Sequence, residues 1–221
     1  MLPPIPQKLW QIDETTVGQH FLLDPTDICF YVWEYTRRGG FTASPTNSLI
    51  LNLKKKPSRI AMKPPEGLHK ERAIAHSARA LRALIKREWI ETQGTLVPIP
   101  CSKILGHPDH DDRLSRVLHQ AFDGYAADIR PLIEQTRSTE ADHERSERQR
   151  FDELLEITRI NEVAAHPVRS DRILLFDDVL NSGKHFKVAR QLLAQRFPGV
   201  TILAVFLARC LPDPPVAFDP L

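Results

Sequence analysis

The stretch from Ile173 to Leu207 constrains the fold more than any other part of the chain. Ile173-Leu174-Leu175-Phe176 is an unbroken apolar run, the pattern of a short strand buried on both faces. It ends in Asp177-Asp178. A loop from Val179 to Gly183 follows, and Lys184 to Arg196 reads as a helix that Pro198-Gly199 terminates. Val200 to Leu207 is a second apolar strand. Strand, loop, helix and strand in that order make a βαβ unit, which requires a parallel sheet and a right-handed crossover. The expected fold class is therefore α/β, a parallel sheet flanked by helices.

In such a sheet, ligands bind beyond the carboxyl ends of the strands. Asp177 and Asp178 are expected there, facing ligand rather than core. The loop after them opens a helix, whose first amides are unbonded and carry partial positive charge. A phosphate monoester fits that position. Gly183 lets the backbone approach an anion, Asn181, Ser182 and His185 offer side-chain donors, and Lys184 adds charge. Two carboxylates beside an anion cradle suit a ligand with hydroxyls at one end and phosphate at the other, the form of ribose 5-phosphate. The competing reading is a solvated turn at a strand end. A Walker A loop is excluded, because its first glycine would fall on Asp178 and its Ser/Thr on His185.

The remaining chain supplies the flanks. Ile28 to Tyr35 is aromatic and β-branched and reads as a strand. Ser44-Pro45 caps a helix over Asn47 to Lys56, with a strand at Leu49 to Leu53 as the competitor. Glu66 to Trp89 has helical apolar spacing, Thr95 to Pro100 reads as a buried strand, and Leu114 to Ala127 is again helical. Phe151 to Ile160 holds a helical turn or two. Arg137 to Arg150 is dense in charge and expected to be exposed and mobile. Proline clusters at 3–6, 57–65 and 212–220 mark a leading arm, an internal linker and a tail.

Bulk properties narrow the function classes. A net charge of +2 calls for neither nucleic acid nor an anionic membrane surface as partner. Cys29, Cys101 and Cys210 form no CxxC pair, which argues against a zinc ribbon and a disulfide framework and points to a reducing, cytoplasmic setting. The first ten residues carry prolines and no apolar core, so no signal peptide is expected. His107, Asp109, His110, Asp111 and Asp112 are suitable metal ligands by type, but their spacing matches a solvated loop. His69, His76, His119 and His143 are expected on the surface, Trp33 and Trp89 in the core or an interface. Cys101 follows a strand, and no base is placed beside it by the sequence.

The run FDDVLNSGKH, 176–185, resembles the phosphoribosyl pyrophosphate (PRPP) motif of type I phosphoribosyltransferases (PRTases). LVPIPCSK at 96–103, RSTEADHERSERQR at 137–150 and YVWEYT…NSLILNLKKKP near the start are similar to the ComF-like branch, without its N-terminal zinc ribbon. The resemblance implies an arm over 1–27, a PRTase-type domain over 28–211 and a Pro-rich tail over 212–221, with a hood built from N-terminal and central segments and its loop at about 101–150. It implies that Asp177 and Asp178 are catalytic, that Val179, Leu180, Asn181, Ser182, Gly183, Lys184 and His185 bind PRPP, and that Cys101, Ser102 and Lys103 take the pyrophosphate. Arg137 would close as part of the hood. Mg2+ would enter on the PRPP diphosphate, and a homodimer or protein complex is implied as the working form. Transfer of phosphoribose to an acceptor is the expected activity. Asn181 and His185 stand where the family loop has Thr or Ser, which motivates the alternative of a non-catalytic PRPP-sensing module acting through a partner. A metal-dependent hydrolase using residues 107–112 is the second alternative.

Overall fold

The computed structural model describes residues 1–139, 151–168 and 171–212. In chain order these form Trp10–Gln11 (β1), a 3-10 turn at Val17–Gln19, Ile28–Tyr35 (β2), Pro45–Leu53 (α1), Pro57–Met62 (α2), Pro65–Leu84 (α3), Arg87–Thr92 (α4), Thr95–Pro98 (β3), Arg113–Ala121 (α5), Asp128–Ile129 (β4), Ile133–Gln135 (β5), Phe151–Ile157 (α6), Thr158–Ile160 (β6), Arg172–Leu180 (β7), Lys184–Arg196 (α7) and Thr201–Cys210 (β8). The main sheet has the order β1-β2-β8-β7-β3-β4, with β1 antiparallel to β2 and the other pairs parallel. A separate antiparallel pair joins β5 to β6. The chain is thus α/β, a mostly parallel sheet flanked by helices, as the apolar runs require.

Topology positions the site. β7-α7-β8 steps one way across the sheet, while β3-α5-β4 steps the other. Right-handed crossovers in opposite directions place their helices on opposite faces. Accordingly α1, α3 and α5 pack on one another over one face, and α6 packs on α7 over the other. The strand order reverses between β3 and β7, so the crevice at their carboxyl ends is the switch point where open α/β sheets bind ligands.

Local chemistry explains the helix ends. The 49–53 run is helical, not a strand: Ser44 Oγ accepts the Asn47 amide at 3.0 Å and Pro45 opens α1. The Asn47 side chain grips both backbone groups of Thr36, at 3.0 and 2.8 Å, and so ties α1 to the end of β2. The single helix expected over 66–89 breaks at Ile85-Lys86, both in extended backbone. Ile90 lies nine residues after Leu81, half a turn out of phase on a continuous helix. The break returns Ile90 to the core, where it is fully buried. α5 stops at Ala121 rather than 127, because the chain turns through Gly124 at φ +75. Residues 140–150, most of the charged stretch, lie outside the described residues. Among the described residues no helix is long and apolar enough to cross a membrane.

His76 is not on the surface. It is 7% exposed, stacks on Trp33 at 5.6 Å and donates from Nε2 to the Pro3 carbonyl at 2.8 Å. Burial, aided by Arg79, holds its pKa below the usual histidine value against the opposing pull of that bond. His20, in the leading arm, is shifted the same way, first by burial. Both rings are needed neutral, so their contribution is full above an unfolded histidine's pKa of about 6.5 and is lost as pH falls through it toward the folded values. Melting temperature is expected to fall between about pH 7 and about pH 5, and to fall less in His76→Gln, whose amide can replace the Nε2–H donor. Equal pH slopes in the two proteins would remove His76 from this account.

Candidate functional site

Strand alternation decides what the acid pair can do. β7 does not end at Phe176 but runs on to Leu180, paired with β8 as far as Arg209. Asp177 and Asp178 therefore lie within the strand, and neighbouring strand residues point to opposite faces. On the other side, the Ile99 amide donates to the Phe176 carbonyl at 2.9 Å, and β3 has already ended at Pro98. Beyond that point β7 has no second neighbour among the described residues. The gap is a cleft of about 920 Å³.

Asp178 faces α1 and α5. Its Oδ1 lies 2.9 Å from Lys54 Nζ, and its Oδ2 accepts from Arg113 Nε and Nη2 at 3.0 and 2.6 Å. Arg113 also donates to Asp111 at 2.8 Å, and Asp111 accepts Lys70 Nζ at 2.7 Å. Burial would raise the Asp178 pKa, but the Lys54 and Arg113 charges overcome it and hold the carboxyl well below the usual carboxylate range. Burial lowers the Lys70 pKa despite Asp111. Asp178 thus has both oxygens engaged by protein cations. Both aspartates were expected to face ligand; the Asp178 carboxylate is held between Lys54 and Arg113 at the wall of the cleft.

Asp177 faces α7. Its Oδ1 accepts the Asp178 amide at 2.7 Å, while Oδ2 is 3.7 Å from His185 Nδ1 and has no shorter partner among the described residues. Val179 and Leu180 complete β7, so the loop is only Asn181 to Gly183. Gly183 has φ +88 and offers no side chain to cap α7, while Ser182 Oγ accepts the Lys184 amide at 3.4 Å. A Cβ on Gly183 would lie 2.7 and 2.9 Å from Leu23 Cδ2 and Cγ. The missing side chain makes room for Leu23 of the leading arm, a contact the sequence does not reveal.

The loop after β3 forms the opposite wall. Cys101 Sγ accepts the Asp111 amide at 3.3 Å and donates to the Lys103 carbonyl at 3.2 Å, and the Thr139 amide donates to the Ser102 carbonyl at 2.8 Å. His110 Nδ1 approaches Cys101 Sγ at 3.5 Å but lies 2.9 Å from the Lys103 carbonyl, an acceptor that requires its proton. That imidazole nitrogen is not a base for the thiol. Gln135 and Thr139 line the cleft, whereas Arg137 is exposed and outside its wall. In the 107–112 segment, Asp109 accepts the Ser58 amide at 3.0 Å and Asp111 is ion-paired. Among the described residues no three His, Cys, Asp or Glu side chains form a metal-ligating group.

No family model and no curated protein matches the chain. What the site can hold follows from its own chemistry.

That chemistry is cationic. Arg37 and Arg38 after β2, Lys54 to Lys56 and Arg59 around α1 and α2, and Lys103, Arg113 and Lys184 line the cleft, nine cations against four aspartates. The whole chain carries only +2, so positive charge is gathered here. A focused positive field, the N-terminal end of a helix and one carboxylate oxygen with no close partner among the described residues suit a polyanion that also has hydroxyl donors. Lys54 and Arg113 are cleft positions that the sequence does not single out. The signal for Lys54 was Lys54-Lys55-Lys56 before Pro57. Arg113 carried no signal, since its partner is 65 residues away.

Proposed function

We propose that this chain is a PRTase-like protein of type I architecture, which binds PRPP with Mg2+ and transfers phosphoribose to an acceptor with release of pyrophosphate. The observation that carries the proposal is one juxtaposition: the Asp177 oxygen with no close partner among the described residues, beside the start of α7, inside a cationic cleft at the switch point. In this reading the amides and side chains of Asn181 to His185 hold the 5′-phosphate, and Asp177 accepts from a ribose hydroxyl. Lys103 and the Cys101-Ser102 backbone face the diphosphate, with Lys54 and Arg113 adding charge. The C1–O bond breaks with its electron pair leaving on pyrophosphate, and an acceptor lone pair forms the new bond at C1. Asp177 favours the positive charge that develops there. Asp178 is a positioning residue that fixes Lys54 and Arg113. A PRPP-sensing module without turnover is the second reading. The engagement of Asp178 by two protein cations favours it, because only one carboxylate then meets the ribose.

Calorimetry with PRPP and Mg2+, beside ribose 5-phosphate, AMP and ATP, tests the proposal. PRPP is expected to bind, with ribose 5-phosphate as competitor. Asp177→Asn is expected to weaken ribose 5-phosphate by roughly tenfold, the loss of one hydrogen bond to a charged group. No binding of any 5-phosphoribosyl compound would reject the function. Pyrophosphate release with candidate acceptors then separates transferase from sensor.

A further inference from the structure

We infer that His20 is a positioning residue for the 181–183 loop, and that the arm around it is ordered together with ligand in the cleft. Its ligand-linked half rests on the function proposed above; its bracing half rests on geometry alone. The arm grips every residue of the loop. His20 Nδ1 is hydrogen-bonded to the Asn181 carbonyl, the Leu22 amide donates to the Ser182 carbonyl at 3.0 Å, and Leu23 fills the space beside Gly183. A carbonyl only accepts, so the His20 proton sits on Nδ1. Nε2 is then a bare lone pair, fully buried and without a partner among the described residues. A buried orphan acceptor is unfavourable. The ring's one hydrogen bond among the described residues is to the Asn181 carbonyl, which points to that contact as its purpose. Four and seven residues on, Asp24 and Asp27 accept Lys187 Nζ at 2.7 and 2.9 Å, and Arg190 lies 3.2 Å from Asp27. One short segment therefore fixes both the loop and the first two turns of α7.

Two structures held by the same contacts are thermodynamically linked, and the linkage is reciprocal. Ligand that orders the loop protects the arm, and loosening the arm weakens ligand. The experiment is amide hydrogen exchange over residues 13–27 and 181–187, without ligand and with ribose 5-phosphate. Ribose 5-phosphate is expected to slow exchange in both segments of the wild type. His20→Leu is expected to speed exchange of the loop without ligand and to weaken ribose 5-phosphate about tenfold. His20→Asn, whose amide can take the place of Nδ1–H, is expected to restore both. Asp24→Ala, which removes a half-exposed ion pair and the Asp24 bonds to Thr26, is expected to loosen the same loop amides and guards against a His20→Leu protein that does not fold. Unchanged loop exchange in His20→Leu and Asp24→Ala overturns the bracing. Ligand protection confined to 181–187 overturns the linkage. If ribose 5-phosphate fails to bind the wild type, the proposed function and the linkage fall together, while the ligand-free comparison still decides the bracing.

Discussion

Asp178→Asn is expected to destabilise the protein by about 3 kcal/mol, whereas Asp177→Asn changes stability little. The two residues are adjacent and chemically identical, so the difference is entirely one of surroundings. Removing one partner of a buried ion pair leaves the other charge uncompensated, at a cost of roughly 3–5 kcal/mol. The lower end applies because the Lys54 side chain is 34% exposed and can turn to water, and because Arg113 keeps Asp111. Asp177 holds the next residue's amide, a bond Asn can still accept, and otherwise only the half-exposed His185 at 3.7 Å. The Asp178 carboxyl is held below its unfolded pKa of about 3.9, so its contribution is complete at neutral pH and is lost as pH falls through that value and toward the folded one. Urea unfolding of both variants at pH 7 measures this. An Asp178→Asn protein with the wild-type midpoint would mean that Lys54 and Arg113 are satisfied elsewhere, and the positioning role would fail.

The same pair marks the boundary of what the sequence discloses. Ile173 to Phe176 and Val200 to Leu207 are unbroken apolar runs around a polar, glycine-started helix, so the βαβ unit and the parallel sheet were legible. The capped start of α1 was legible from Ser44-Pro45. The true end of β7 was not. Charged residues are uncommon inside strands, so Asp177-Asp178 reads as a terminus, and the cations that make Asp178 tolerable come from Lys54 and Arg113, distant in the chain. His76 was misread for a similar reason. A histidine among arginines looks solvated, and its cover, Pro3 and Trp33, lies more than forty residues away. Gly183 was legible as a position for close approach to the backbone, and it stands at φ +88. What occupies the space beside it was not, since Leu23 arrives from the other end of the chain.

That last contact gives the second large effect. Gly183→Val is expected to cost roughly 3 kcal/mol, from two sources. An L-residue in the left-handed region costs about 1–2 kcal/mol, and a β-branched one sits at the unfavourable end. The new Cβ also meets Leu23 at 2.7 and 2.9 Å, and overpacking of that kind costs roughly 1–3 kcal/mol. Cγ of Leu23 is near its backbone, so rotation of the side-chain tip does not relieve the overlap, and the arm must shift. Phosphate affinity should fall as well, because the amides of the loop move with it. A double-mutant cycle separates the arm from the anion. With Leu23→Ala, the steric part should vanish, leaving Gly183→Ala with only the backbone penalty and with most of its ribose 5-phosphate affinity relative to Leu23→Ala alone. If the affinity loss is the same in both backgrounds, the glycine is there to admit the anion itself. The contact with Leu23 would then be incidental.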